Sequence, residues 1–376
     1  MEGIYIHIPF CESKCKYCDF NSFTNKEKYV EKYIKYLKKE IDLYGKENFK
    51  NSKTIFIGGG TPSSIESEYI VEILEKIYEK NNKENFEEIT IEVNPGSIDE
   101  SKISDYKNAG INRISLGVQS LDDNILKSIG RVHNAKIAIE SIKTVKRYIE
   151  NISVDLIFGL PNQKIENIKN DIEVISKLGV NHMSFYALKI EENTPFYEME
   201  RNGKLNLPTE DIERDMYHIG KNILEENGYY QYEISNFSKT GFESKHNLIY
   251  WNVEPYIGLG LSAASNIDGK RYNNMDNFED YFDSINSFNL PIDSNTIEEI
   301  DLKEEISEYS ILRLRLNEGI VKSEFKKRYG KDIRYIYGDI LDKNKENGLL
   351  IEDKDRIYLS DKGFDLANQV FMDFLR

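Results

Sequence analysis

Between residue 3 and about residue 189, short runs rich in Ile, Val and Phe alternate with longer stretches whose apolar residues return every three or four positions. Runs of about four to eight residues bounded by Gly, Pro, Asn or Asp read as strands, and the longer stretches as amphipathic helices. The pattern predicts strands at 3–8, 53–57, 88–93, 112–116, 153–158 and 182–187. Between them, Tyr33, Ile34, Leu37 and Ile41 share one helical face, as do Ile70, Ile73, Leu74 and Ile77. Six strand–helix units in succession predict an α/β fold, a partial six-stranded parallel (β/α)6 barrel that is an open version of the eightfold one.

Beyond residue 191 the rhythm breaks. A helix is expected at 210–226, with Ile212, Met216, Ile219 and Ile223 on one face, followed by an aromatic-rich stretch. From 301 the periodicity returns as helices at 303–316, 322–328 and 332–346, two short strands at 348–352 and 356–360, and a last helix from 361. Three helices and a hairpin predict a winged-helix-like module. The expected organisation is therefore a barrel over 1–190, an extension over 191–300 and a C-terminal module over 301–376. The third helix of that module carries Asp332, Asp339, Asp342 and Glu346 among its basic residues, which suits a lid or partner-docking element better than a DNA reader.

Charge sharpens this. With 65 acidic against 50 basic side chains the net charge is −15, and a nonspecific nucleic-acid binder needs a basic surface. No secretory apolar region follows Met1, and no apolar run approaches the roughly 18 residues of a membrane span. The expectation is a cytoplasmic protein, with peripheral membrane contact through a partner and a homodimer both left open.

In parallel α/β folds ligands gather at the C-terminal ends of the strands, and the polar words of this chain fall there. Cys11, Cys15 and Cys18 follow the first strand, Gly58-Gly59-Gly60-Thr61-Pro62-Ser63 the second, and Glu92-Val93-Asn94-Pro95 ends the third. Gly117-Val118-Gln119-Ser120 follows the fourth, Asp155 lies on the fifth, and Tyr186-Ala187 ends the sixth. These three cysteines are the only ones in the chain. Three thiols cannot pair off, and thiolates at spacings of four and three form a claw that would leave one iron of a [4Fe–4S] cluster without a protein ligand. A Cys3His zinc site using His7 and a set of unliganded cysteines are the alternatives.

The C-x-x-x-C-x-x-C loop after a strand resembles that of radical S-adenosylmethionine (SAM) proteins. The flanking words Tyr-Ile-His-Ile-Pro-Phe-Cys and Tyr-Cys-Asp-Phe resemble the branch that holds the oxygen-independent coproporphyrinogen III dehydrogenases and the HemW-type haem chaperones. Dehydrogenases of that branch carry a fourth cysteine two positions after the third and a longer arm before the strand. Here Phe20 stands in that place and four residues precede Tyr5, so the resemblance favours a chaperone, with the dehydrogenase as the alternative.

The resemblance implies a [4Fe–4S] cluster on Cys11, Cys15 and Cys18 and SAM on its open iron. Gly58, Gly59, Gly60 and Thr61 match the motif against the methionyl amino group, and Glu92 the carboxylate near the ribose. Tyr5, Gln119, Arg131 and Asp155 match further SAM-contacting positions, and an ion pair at the barrel rim is the competing reading of both Glu92 and Asp155. His246-Asn247-Leu248-Ile249-Tyr250-Trp251 resembles the H-N-x-x-Y-W word associated with haem, implying contacts from His246, Tyr250 and Trp251 and acceptor haem proteins as partners. Its competing reading is an aromatic core cluster with a structural histidine. A histidine common near position 264 in that branch is Ala264 here.

Overall fold

The computed structural model describes residues 2–375. Six parallel strands run in chain order through its centre: β1 (Gly3–Ile8), β2 (Thr54–Gly59), β3 (Glu88–Val93), β4 (Arg113–Gln119), β5 (Asn151–Phe158) and β6 (His182–Ala187). The connecting helices are α1 (Val30–Leu43), α2 (Ser67–Tyr78), α3 (Glu100–Ala109), α4 (Asp123–Ser128), α5 (Ala135–Lys146) and α6 (Ile165–Leu178). Alternation decides which face meets them. Ile4, Ile6 and Ile8 are fully buried in one core with Tyr33, Ile34, Leu37 and Ile41 of α1, and Tyr5 and His7 are left for the interior.

The sheet does not stop at six strands. After α7 (Pro195–Arg201) and α8 (Glu210–Glu226), β7 (Tyr230–Glu233) and β8 (Asn236–Ser238) extend it antiparallel beside β6. The chain then crosses to the opposite edge through α9 (Lys245–Trp251). There β9 (Tyr256–Leu259) pairs parallel with β1, and β10 (Ala264–Ile267), β11 (Lys270–Asn273), α10 (Phe278–Asn286) and β12 (Glu298–Glu299) follow. The expected extension over 191–300 is thus built into both edges of one twelve-stranded sheet. Strands of two to four residues carry too few alternations to be read from sequence.

The crossing of α9 fixes the foot of the barrel. The backbone N–H groups of Lys245 and His246 donate to the Glu88 carboxylate at 3.0 and 3.1 Å, where the helix N-terminus favours negative charge. Glu88 and Thr54 are the first residues of their strands, so α9 enters at the end of the barrel opposite the cysteines.

The C-terminal module has its own core, containing Leu314, Ile320, Phe325, Ile333, Tyr337, Leu341, Ile357 and Phe374. Its elements are α11 (Leu302–Arg315), β13 (Ile320–Val321), α12 (Lys322–Tyr329), α13 (Ile333–Glu346), β14 (Leu350–Glu352), β15 (Arg356–Leu359), α14 (Asp361–Asp365) and α15 (Ala367–Phe374). The two-residue β13 makes the expected hairpin a three-stranded sheet. Arg313 and Arg328 tie the module to the turn after α9: Arg313 Nη1 donates to Asn252 Oδ1, and Arg328 Nη2 to the Val253 carbonyl at 2.8 Å. No helix among the described residues is long and apolar enough to cross a membrane.

Candidate cofactor site

Ten of the residues singled out from sequence line one cavity of about 140 Å³ at the C-terminal ends of the strands: Cys11, Cys15, Cys18, Gly59, Gly60, Thr61, Glu92, Gln119, Arg131 and Asp155. The cysteine loop leaves β1 and is pinned by the Cys11 N–H to the Phe23 carbonyl at 3.0 Å and the Lys16 N–H to the Ile129 carbonyl at 3.0 Å. Its three thiols are partly exposed and reduced. Burial pushes the Cys18 thiol up to about 11, so a cationic metal group beside it would be needed to hold it as a thiolate. Among the described residues no three His, Cys, Asp or Glu side chains converge closely enough to share one ion. His7, the imidazole of the zinc alternative, already meets Tyr5 Oη at Nδ1 (3.0 Å) and the Asn21 carbonyl at Nε2 (2.9 Å).

The glycine run is a cradle that side chains would fill. A Cβ on Gly60 would lie 2.7 Å from the Phe10 carbonyl oxygen and 3.0 Å from Cys11 Sγ, and one on Gly58 would lie 2.9 Å from Glu92 Oε2. Gly59 has φ +110°, open to glycine and strained for any other residue. Its N–H donates to Glu92 Oε2 at 3.2 Å. Burial, reinforced by the nearby Asp155 charge, raises the Glu92 carboxyl to about 8. Asp155 is also raised by burial, and Ser115 Oγ donates to it at 3.3 Å. Such carboxyls gain from hydroxyl donors or a positive charge entering beside them.

Gln119 reaches the cavity because β4 bulges. Gly117 pairs with Asp155 and Gln119 with Leu156, and Gln119 sits at φ +69°. A bulge that re-aims a side chain beside a site is a recurring device. Arg131, from the turn after α4, donates to the Asn94 Oδ1 at 2.6 Å, to the Gly117 carbonyl, and to Cys15 Sγ at 3.5 Å. One guanidinium therefore ties two strand ends, those of β3 and β4, to the cysteine loop.

Two of the predicted residues stand elsewhere. Gly58 lies beneath the cavity, against Glu92, and Tyr5 lines a second cavity of about 450 Å³ with Tyr250, Trp251, Tyr256, Asn266 and Arg271. Phe20 borders both cavities. His246 is fully buried at the barrel foot and lines neither. Its Nδ1 meets Thr54 Oγ1 at 2.7 Å and its Nε2 meets Tyr250 Oη at 2.8 Å, and burial lowers its pKa to about 3. In this arrangement the imidazole holds Tyr250, and Tyr250 and Trp251 face the cavity. Ile249 packs against Gly3 at the same foot.

Asn94 and Tyr186 of the strand-end words also line the first cavity, and the structure adds Tyr17 and Ser115. Ser115 and Tyr186 had a signal: each shares a strand face with a predicted site, by period two from Gly117 and by the pairing of Asp155 with Ser184. Tyr17 had none beyond its place between two cysteines.

Residues 5–175 match the Radical SAM superfamily, and residues 300–366 match the HemN C-terminal domain. The chain is similar to the protein named Heme chaperone HemW of Bacillus subtilis (strain 168), 38% identical over 378 residues, which spans 100% of this chain and 99% of that one. A protein of the same name in Escherichia coli (strain K12) is 37% identical over 272 residues, 70% of each chain. The solved structure titled "Coproporphyrinogen III oxidase (HemN) from Escherichia coli is a Radical SAM enzyme" superposes with a TM-score of 0.85, covering 99% of this chain and 89% of that one, at 20% identity. That last likeness is one of fold.

Proposed function

The chain belongs to the HemW family of the radical SAM superfamily, and from that premise we propose that it is a haem chaperone carrying a [4Fe–4S] cluster and SAM. The observation that carries the reading is the adjacency of two cavities that share Phe20, one bearing three thiols and the other walled by Tyr5, Tyr250, Trp251 and Tyr256.

Cys11, Cys15 and Cys18 would hold the cluster, with the cradle of Gly58, Gly59, Gly60 and Thr61 beside it. Glu92 would accept ribose hydroxyls, and Asp155, Gln119 and Arg131 would complete the SAM shell. A bound cluster supplies one-electron chemistry to SAM. The protein's own part is different: Arg131 orders the cysteine loop through Cys15 and Asn94, and the Gly59 N–H holds Glu92 toward the cavity.

In the second cavity, tyrosine and indole rings offer flat apolar faces to a porphyrin. Tyr250 and Trp251 make these contacts and His246 fixes Tyr250 from behind. From there haem passes to an acceptor haem protein, in the cytoplasm or at a membrane reached through that acceptor. No iron ligand is assigned to this cavity.

Anaerobic haem titration of the cluster-loaded protein, followed by coproporphyrinogen, SAM and dithionite, tests the reading. Stoichiometric haem binding without porphyrinogen turnover is expected. Conversion to protoporphyrinogen without haem binding would make the protein a dehydrogenase instead.

A further inference from the structure

An ion pair stands at the wall of the aromatic cavity. Arg271 is the one basic Lys or Arg side chain among the described residues lining it, and its guanidinium Nη2 donates to Glu308 of α11. The sheet builds this position in register. Tyr256 on β9 pairs with Asn266 on β10, and Asn266 with Arg271 on β11, so the three side chains stand in one row on the cavity face. Beyond Arg271 the row ends at Glu298 on β12, which is exposed. The other carboxylate at the cavity, Glu254, has a partner outside it in Arg328, 3.8 Å away. Trp251 Nε1 is buried at the wall with no acceptor.

We propose that Arg271 is the carboxylate receptor of this cavity and that Glu308 occupies its seat until a planar ligand bearing a carboxylate, such as a haem propionate, displaces it. This rests on the haem reading above and names the part of the ligand recognised. An arginine presents a fork that takes a carboxylate through two N–H groups. Glu308 and a propionate offer it the same acceptor pair, so one ion pair replaces another with no charge left uncompensated on Arg271. The Glu308 carboxylate is about a quarter exposed and returns to water when it leaves. Both partners come from different layers, Arg271 from the sheet and Glu308 from the C-terminal module, so the exchange also releases one tie between them.

The test compares haem with its dimethyl ester, in which both propionates are blocked. Haem gives up the Glu308–Arg271 pair to form its own, so its advantage over the ester is the hydration that Glu308 regains and the better fit of the propionate on the fork, and wild type is expected to hold haem severalfold more tightly than the ester. Arg271→Ala should erase that preference by weakening haem alone, Arg271→Lys should retain part of it, and Glu308→Gln should tighten haem without tightening the ester. Equal affinity of wild type for haem and ester would overturn the proposal and leave the haem reading standing; this comparison needs no variant to fold. Equal tightening of both ligands by Glu308→Gln would also overturn it. Binding of neither ligand would overturn both.

Discussion

Tyr250 Oη and His246 Nε2 stand 2.8 Å apart, and the far side of the same imidazole is held by the Thr54 hydroxyl at 2.7 Å. The ring is thus a strut between the foot of β2 and the one tyrosine of α9 that reaches the aromatic cavity. Desolvation and the nearby Arg113 guanidinium lower its pKa to about 3, so near pH 7 it serves as a neutral hydrogen-bonding spacer.

Replacing the strut should cost stability before it costs chemistry. His246→Ala leaves two hydroxyls without their partner and opens a void, a loss of about 2–4 kcal/mol readable by urea unfolding. Haem bound to the variant should show the wild-type Soret position, since no imidazole coordination is removed. A shifted Soret band would mean that His246 reaches the iron.

Glu92 gives a pH signature in the cofactor-free protein. Its folded carboxyl, raised to about 8 against an ordinary 4.5, keeps a proton that the unfolded chain has released. Stability from this group is complete below about pH 4.5, falls as pH rises, and is gone above about 8. Glu92→Gln should therefore unfold with a flatter dependence on pH over that window than wild type, measured by paired urea titrations. Parallel curves would show that Glu92 is not protonated in the fold.

The cradle can be probed without touching a thiol. In Gly60→Ala the added methyl meets the Phe10 carbonyl oxygen and Cys11 Sγ at 2.7 and 3.0 Å, forcing the cysteine loop to shift. Anaerobic reconstitution should yield less than half of the wild-type visible absorption, and Cys15→Ala essentially none. Full absorption in Cys15→Ala would remove Cys15 from the ligand set.

At the module boundary, Arg313 is buried and donates to the Gly319 carbonyl at 3.0 Å, to Glu318 at 2.6 Å and to Asn252. Arg313→Ala strips these acceptors of their donor and should destabilise by about 3 kcal/mol. Limited proteolysis should then cut faster between α10 and α11 than in wild type, because the module is less firmly seated.

Much of the molecule was legible in its sequence. The six parallel strands, the helix at Glu210–Glu226 and the three long helices of the C-terminal module are periodic over enough residues to declare themselves. The same holds for the rim: Cys11, Cys15, Cys18, Gly60, Thr61, Glu92 and Asp155 meet in one cavity because strand direction sends every C-terminal end to the same side. Local chemistry and chain direction are properties of the sequence itself.

What only the tertiary structure decided is where long-range crossings lead. That the H-N-x-x-Y-W segment begins at the foot of the barrel follows from α9 carrying the chain from β8 at one sheet edge to β9 at the other, and from the Glu88 carboxylate that receives its N-terminus. The word was visible and the direction of its side chains was not, because Thr54 lies 192 positions from His246 and no local periodicity encodes such a pairing. The seat of Arg271 has the same origin: it exists only once three short strands are in register and α11 has brought Glu308 over them.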